Sequence, residues 1–124
     1  MIKFSENKAI YLQIAERICE DIILGTYTEA GRIPSVREYA QMIEVSANTV
    51  ARSFDYLQQK GVLLNRRGVG LFVADNAVEV IKRMRREVFL SEELEAFMRQ
   101  AVLLDISEQD LLSSYHAIKK QLGK

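Results

Sequence analysis

A chain of 124 residues, 48% hydrophobic with one proline and six glycines, has room for one folded domain, or for a small domain with an appendage, and is not low-complexity. Its seventeen basic residues balance seventeen acidic ones, so any attraction to a polyanion must come from where cations sit and not from net charge. No apolar run approaches the ~20 residues of a membrane span, Met1–Glu6 has no apolar core suited to a secretory signal, and the single Cys19 cannot form an internal disulfide. These features point to the cytoplasm, with Cys19 serving as a small core hydrophobe.

Ile10, Ile14, Ile18 and Ile22 recur every fourth residue beside Tyr11 and Ala15, which predicts an amphipathic helix from about residue 8 to 24, stopped by Gly25. A polar link from Thr26 to Arg32 leads to Pro34. Ser35 then opens a second helix as N-cap, and Glu38 three residues later completes a capping box. That helix should bury Val36, Tyr39, Ala40 and Ile43. After the turn Ile43-Glu44-Val45, Ser46 caps a third helix with Val50, Phe54 and Leu57 on its inner face, ending at Lys60-Gly61.

Two short helices joined by a tight turn form a helix-turn-helix, whose second helix enters a DNA major groove. At the outward start of that helix stand Ala47, Asn48, Ala51 and Arg52. Asn48 has the donor and acceptor to read an adenine edge, and Arg52 the reach for guanine or phosphate. Ser46, Thr49 and the free amides of the helix start suit phosphate oxygens. Val62-Leu63-Leu64 and Leu71-Phe72-Val73 then read as strands flanking a hairpin tip, Arg66-Arg67-Gly68-Val69-Gly70. Glycines there permit a close approach, and the arginines would meet phosphate or the minor groove.

Three apolar stripes follow the hairpin: Ala77, Ile81, Met84 and Val88; Leu90, Leu94, Phe97, Ala101 and Leu104; and Leu111, Tyr115, Ile118 and Leu122, the last opened by Ser107. Residues 76–124 should thus be helical without strands. Lys82, Arg83, Arg85 and Arg86 are expected on the solvated face of the first of these helices. So small a region cannot bury all three stripes alone, which predicts pairing with a second copy through Leu94, Phe97, Leu111, Tyr115 and Ile118. His116 is the only histidine, so neither a metal site nor a cofactor is expected, and no nucleophile–base or P-loop spacing signals an enzyme.

The runs Ala9-Ile10-Tyr11-Leu12-Gln13-Ile14, Ile23-Leu24-Gly25, Gly31-Arg32-Ile33-Pro34-Ser35-Val36-Arg37-Glu38, Val45-Ser46, Asn48-Thr49-Val50, Leu57 through Gly61, and Arg67-Gly68-Val69-Gly70 with Phe72-Val73 carry a resemblance. In that order and spacing, residues 8 to 75 resemble the GntR family of bacterial winged-helix transcription regulators. The resemblance implies operator contacts from Arg37, Ser46, Asn48, Thr49 and Gly68, with Arg52 and Arg67 as helpers. Ser35, Arg66 and Gly70 complete the candidate DNA-binding set. Four positions depart from the family pattern. Glu44 replaces a usual glycine, and Ala47 stands where some members have a base-reading arginine. Phe54 replaces a common tyrosine, and Leu71 a frequent threonine.

The short helical tail resembles that of the YtrA-like subgroup, whose tails pair two subunits. The expected architecture is mainly α with a small β-hairpin: a winged helix-turn-helix over residues 1–75, then an all-helical dimerisation and effector tail over 76–124. The expected partners are an operator in double-stranded DNA, a second copy of the chain, and a small-molecule effector that the residues do not name. The chain is thus expected to be a homodimeric repressor on a near-palindromic operator. The competing reading is a winged helix that docks a protein and binds no DNA.

Overall fold

The structure, a computed structural model, describes residues 4–124; the expectation that Met1–Glu6 holds no secretory-signal core lies partly outside the described residues. In chain order the elements are α1 (Ile10–Ile23), α2 (Val36–Ile43), α3 (Ala47–Gln59), β1 (Leu63–Arg66), β2 (Gly70–Val73), α4 (Ala77–Val88), a π-helical turn (Phe89–Glu93), α5 (Leu94–Leu103) and α6 (Glu108–Gln121). They form two compact units that divide between Met84 and Arg85.

In the first unit α1 packs on α3, and α3 packs on α2 and β1. α1 buries Ile14, Ala15, Ile18, Cys19 and Ile22 along one face, while Ile10, at the head of the same stripe, stays exposed. α2 begins with a complete capping box. The Ser35 hydroxyl accepts from the Glu38 N–H at 3.2 Å, and the Glu38 carboxylate accepts from the Ser35 N–H at 3.1 Å. Those bonds from Ser35 hold the Glu38 carboxyl below the usual carboxylate range. Tyr39 and Ala40 are buried, and the Tyr39 ring meets Phe54 of α3 at 5.8 Å.

α2 ends on Glu44 in the left-handed region (φ 57°, ψ 46°), with the Val45 N–H bonded to the Ala40 carbonyl. This is the turn of the helix-turn-helix, built on a residue that prefers other conformations. Ser46 caps α3 by accepting from the Thr49 N–H, and Val50, Phe54 and Leu57 are fully buried. Ser53 is buried as well. Its hydroxyl donates to the Tyr11 carbonyl at 2.7 Å, which ties α3 to the start of α1.

β1 and β2 pair antiparallel, Leu63 opposite Val73 and Arg66 opposite Gly70. The stretch expected to be only a polar link supplies a third, short strand-like segment. The Ala30 N–H bonds to the Val73 carbonyl, the Val73 N–H to the Gly31 carbonyl and the Ile33 N–H to the Leu71 carbonyl, with Arg32 bridged to Phe72. Ile33 is buried. A pairing this short leaves no alternating pattern in sequence; it forms because β2 offers an unpaired edge.

Ala77 and Ile81 of α4 are buried in the same core as Val62 and Val73. The first two turns of α4 thus belong to the unit containing the hairpin, beyond the sequence boundary at Asp75. The reason is physical: the Ala77–Ile81 stripe covers core residues of the winged unit.

The second unit is helical throughout, running from the end of α4 through the π-helical turn, α5 and α6. α5 ends with Asp105 in the left-handed region (φ 58°), the Ile106 N–H bonded to the Ala101 carbonyl and the Asp105 N–H to the Val102 carbonyl, a Schellman closure. Ser107 then caps α6 by accepting from the Asp110 N–H at 3.0 Å. Only Ala101 is buried in this unit, and Leu94 and Leu111 are half-buried.

Candidate nucleic-acid interface

The start of α3 presents Ala47 and Asn48 to solvent, with Ala51 half-buried one turn on. Ser46 and Thr49 are bonded to each other, hydroxyl to hydroxyl at 2.8 Å, so their side chains form a closed cap and the first amides of α3 lie beside it. Asn48 is thus the exposed polar side chain at the head of this helix able to donate and accept at once.

Arg52 is exposed but not loose. Its guanidinium carbon lies 4.1 Å from the centroid of the Tyr11 ring. Tyr11 in turn meets Tyr56 edge-on at 6.3 Å, and Lys60 stands 5.6 Å over Tyr56. Two cations and two rings therefore line up along the α1–α3 seam. Tyr11 was legible only as part of the α1 stripe, because the contact joins residues far apart in sequence.

The hairpin tip closes through a bond from the Val69 N–H to the Arg66 carbonyl at 2.8 Å. Gly68 occupies the third position of that turn at φ 79°, the geometry a type II turn requires. A Cβ at Gly68 would meet nothing within 4 Å, so backbone conformation and not crowding calls for glycine there. The two arginines of the tip differ. Arg66 is stacked on Phe72 at 4.5 Å, whereas Arg67 sits in the turn itself, exposed.

Arg32, not among the sequence candidates, lies against the tip's base. A Cβ built on Gly70 (φ 139°) would stand 3.2 Å from its Nε. Its signal was the Arg32-Ile33-Pro34-Ser35 run, but only the pairing with β2 brings the side chain to the wing. Ser35 and Arg37 are exposed at the start of α2, the Ser35 hydroxyl being engaged with Glu38. The winged unit thus gathers hydrogen-bond donors and fixed cations around α3 and the hairpin. Of the tail candidates, Phe97, Tyr115 and Ile118 are 55–62% exposed, while Leu94 and Leu111 are half-buried. Val102, Leu103 and Leu104, of which only Leu104 lay on a predicted stripe, are 70–80% exposed. Among the described residues no cluster of His, Cys, Asp and Glu is suited to a metal ion, and no helix is long and apolar enough to cross a membrane.

Residues 10–73 match the family model described as bacterial regulatory proteins, gntR family. The chain is 32% identical over 110 residues to the HTH-type transcriptional regulator YhcF of Bacillus subtilis, covering 89% of each protein. A crystal structure of a GntR-family transcriptional regulator from Bacteroides thetaiotaomicron superposes with a TM-score of 0.78 at 51% identity, covering 92% of this chain and 99% of that one. The DNA-binding domain of AraR, solved in complex with operator ORX1, is similar with a TM-score of 0.52 at 31% identity, over 60% of this chain and 90% of that one. The chain belongs to the GntR family of bacterial regulatory proteins, and its winged helix-turn-helix makes it a DNA-binding transcription regulator.

Proposed function

We propose that this regulator acts as a homodimeric repressor of the YtrA-like subgroup, binding a near-palindromic operator in the bacterial cytoplasm. The observation that carries the reading is the large apolar surface of residues 85–124, where Val88, Phe89, Leu90, Phe97, Leu104 and Ile118 among others are all substantially exposed. A 40-residue helical unit with a single buried residue does not hold itself together. A second copy, docking through an isologous contact, would cover it. Leu94, Phe97, Leu111, Tyr115 and Ile118 are assigned to the tail's interior and seam. Any effector would be a small molecule held at that seam.

In this reading Asn48 reads bases from α3, Ser46, Thr49 and the amides beside them hold phosphate, and Ser35 and Arg37 contact the strand backbone from α2. Arg52 reinforces α3. Arg66, Arg67, Gly68 and Gly70 bring the wing against the duplex. Two copies would set their recognition helices one helical turn, ~34 Å, apart or slightly more. Repression then follows from occupying promoter DNA; no catalytic step is involved.

Light scattering of the intact chain at micromolar concentration should give a dimer, and titration of its own upstream DNA should weaken steeply with salt. A monomer both free and on DNA would end the tail assignment. Binding to a protein partner with no salt-sensitive DNA affinity would favour the docking-module reading.

A further inference from the structure

Resting on the DNA-binding reading above, we infer that Tyr11 is a specificity-determining residue. It commits Arg52 to the DNA backbone, so that the half-site is read as A·T pairs by Asn48 and two alanine methyls. Guanine recognition by arginine requires a guanidinium free to swing edge-on to the O6 and N7 acceptors. The Arg52 guanidinium lies 4.1 Å over the Tyr11 ring. Tyr11 is anchored at this seam: its carbonyl accepts from buried Ser53 of α3 and its ring meets Tyr56 edge-on. Stacked this way, the guanidinium keeps its in-plane N–H donors, which suit a phosphate.

With Arg52 held at the seam, the base-facing groups at the head of α3 are Ala47, Asn48 and Ala51. Ala47 and Ala51 are four apart and so share a helix face. Methyl groups there complement the thymine C5-methyl, and the Asn48 amide complements adenine N6 and N7. Both readouts select the same base pair. No side chain on that face offers the paired donors that guanine needs.

Selection of duplexes from a randomised library by the intact chain should yield A·T pairs at the positions that α3 protects. Replacing thymine by deoxyuridine at those positions should weaken binding several-fold, and Asn48→Ala should cost about tenfold in preference over a G·C substitution. Tyr11→Phe, which keeps the ring, should select the parent's sequence. Tyr11→Leu should acquire guanine at one position. Arg52→Ala should lower the salt slope by about 1 with base preference unchanged, a test that stands even if Tyr11→Leu fails to fold. A guanine required by the parent and lost with Arg52→Ala would overturn the inference, as would a folded Tyr11→Leu with the parent's preference. If the parent binds no duplex in a salt-sensitive way, the DNA-binding reading itself falls.

Discussion

At the scale of single residues, Glu44 shows a local preference yielding to the fold. It is exposed and held at φ 57° to make the turn between α2 and α3. Left-handed backbone costs a non-glycine residue roughly 1–2 kcal/mol, against the ~0.5–1 kcal/mol of extra chain entropy that glycine loses. Glu44→Gly should therefore raise stability by about 0.5–1 kcal/mol in urea unfolding, and DNA affinity should rise as an acid leaves the turn before α3. A variant no more stable than the parent would mean that the strain is already relieved. Tyr39 responds to alkali. Burial pushes its phenol from 10.0 up to about 12. The unfolded chain then ionises first, so this contribution is whole below pH 10 and is lost as pH climbs from 10 towards 12. Tyr39→Phe should flatten the alkaline limb of the stability profile, though only in part, because burial also raises Tyr27.

At the scale of elements, caps decide where the helices begin. Ser35→Ala should cost about 1 kcal/mol by opening the start of α2. The Glu38 carboxyl is lowered in the fold, so its share of the capping box is present above the usual carboxylate range and lost as pH falls through the folded value. Glu38→Gln should remove that acid sensitivity. The hairpin makes a different demand. Gly68→Val should reduce operator binding more than Val69→Ala, since a β-branched residue resists φ 79° whereas Val69 is exposed. Equal affinities for the two folded variants would show that the wing tip does not meet DNA.

At the scale of the molecule, α4 decides where the winged unit can be cut. Ile81 is buried in its core, so Ile81→Ala should destabilise it by roughly 2–5 kcal/mol. Truncation after Asp75 removes both Ala77 and Ile81 and should unfold readily; truncation after Met84 should leave a folded monomer that binds one half-site weakly. Proteolysis resistance and thermal unfolding separate the two. In the second unit Phe97, 57% exposed, is a test of the seam: Phe97→Glu should yield a monomer by light scattering with the winged unit intact. A Phe97→Glu chain that remains dimeric would move the seam elsewhere on the apolar surface.

The sequence by itself determined what local interactions write into it. Isoleucines every fourth residue set the buried face of α1, Ser35 with Glu38 and Ser46 with Thr49 set the starts of α2 and α3, and the ordered runs from residue 8 to 75 set the family. Periods and caps involve residues three or four apart, so they survive in one dimension. Only tertiary structure decided that residues 30–33 pair with β2, that α4 shares the winged core, that Arg32 abuts Gly70, and that Arg52 rests on Tyr11 while Arg66 rests on Phe72. Most of these contacts join segments distant in sequence and have no period of their own. Which arginine is free to meet DNA therefore depends on the aromatic ring that folding places beneath it.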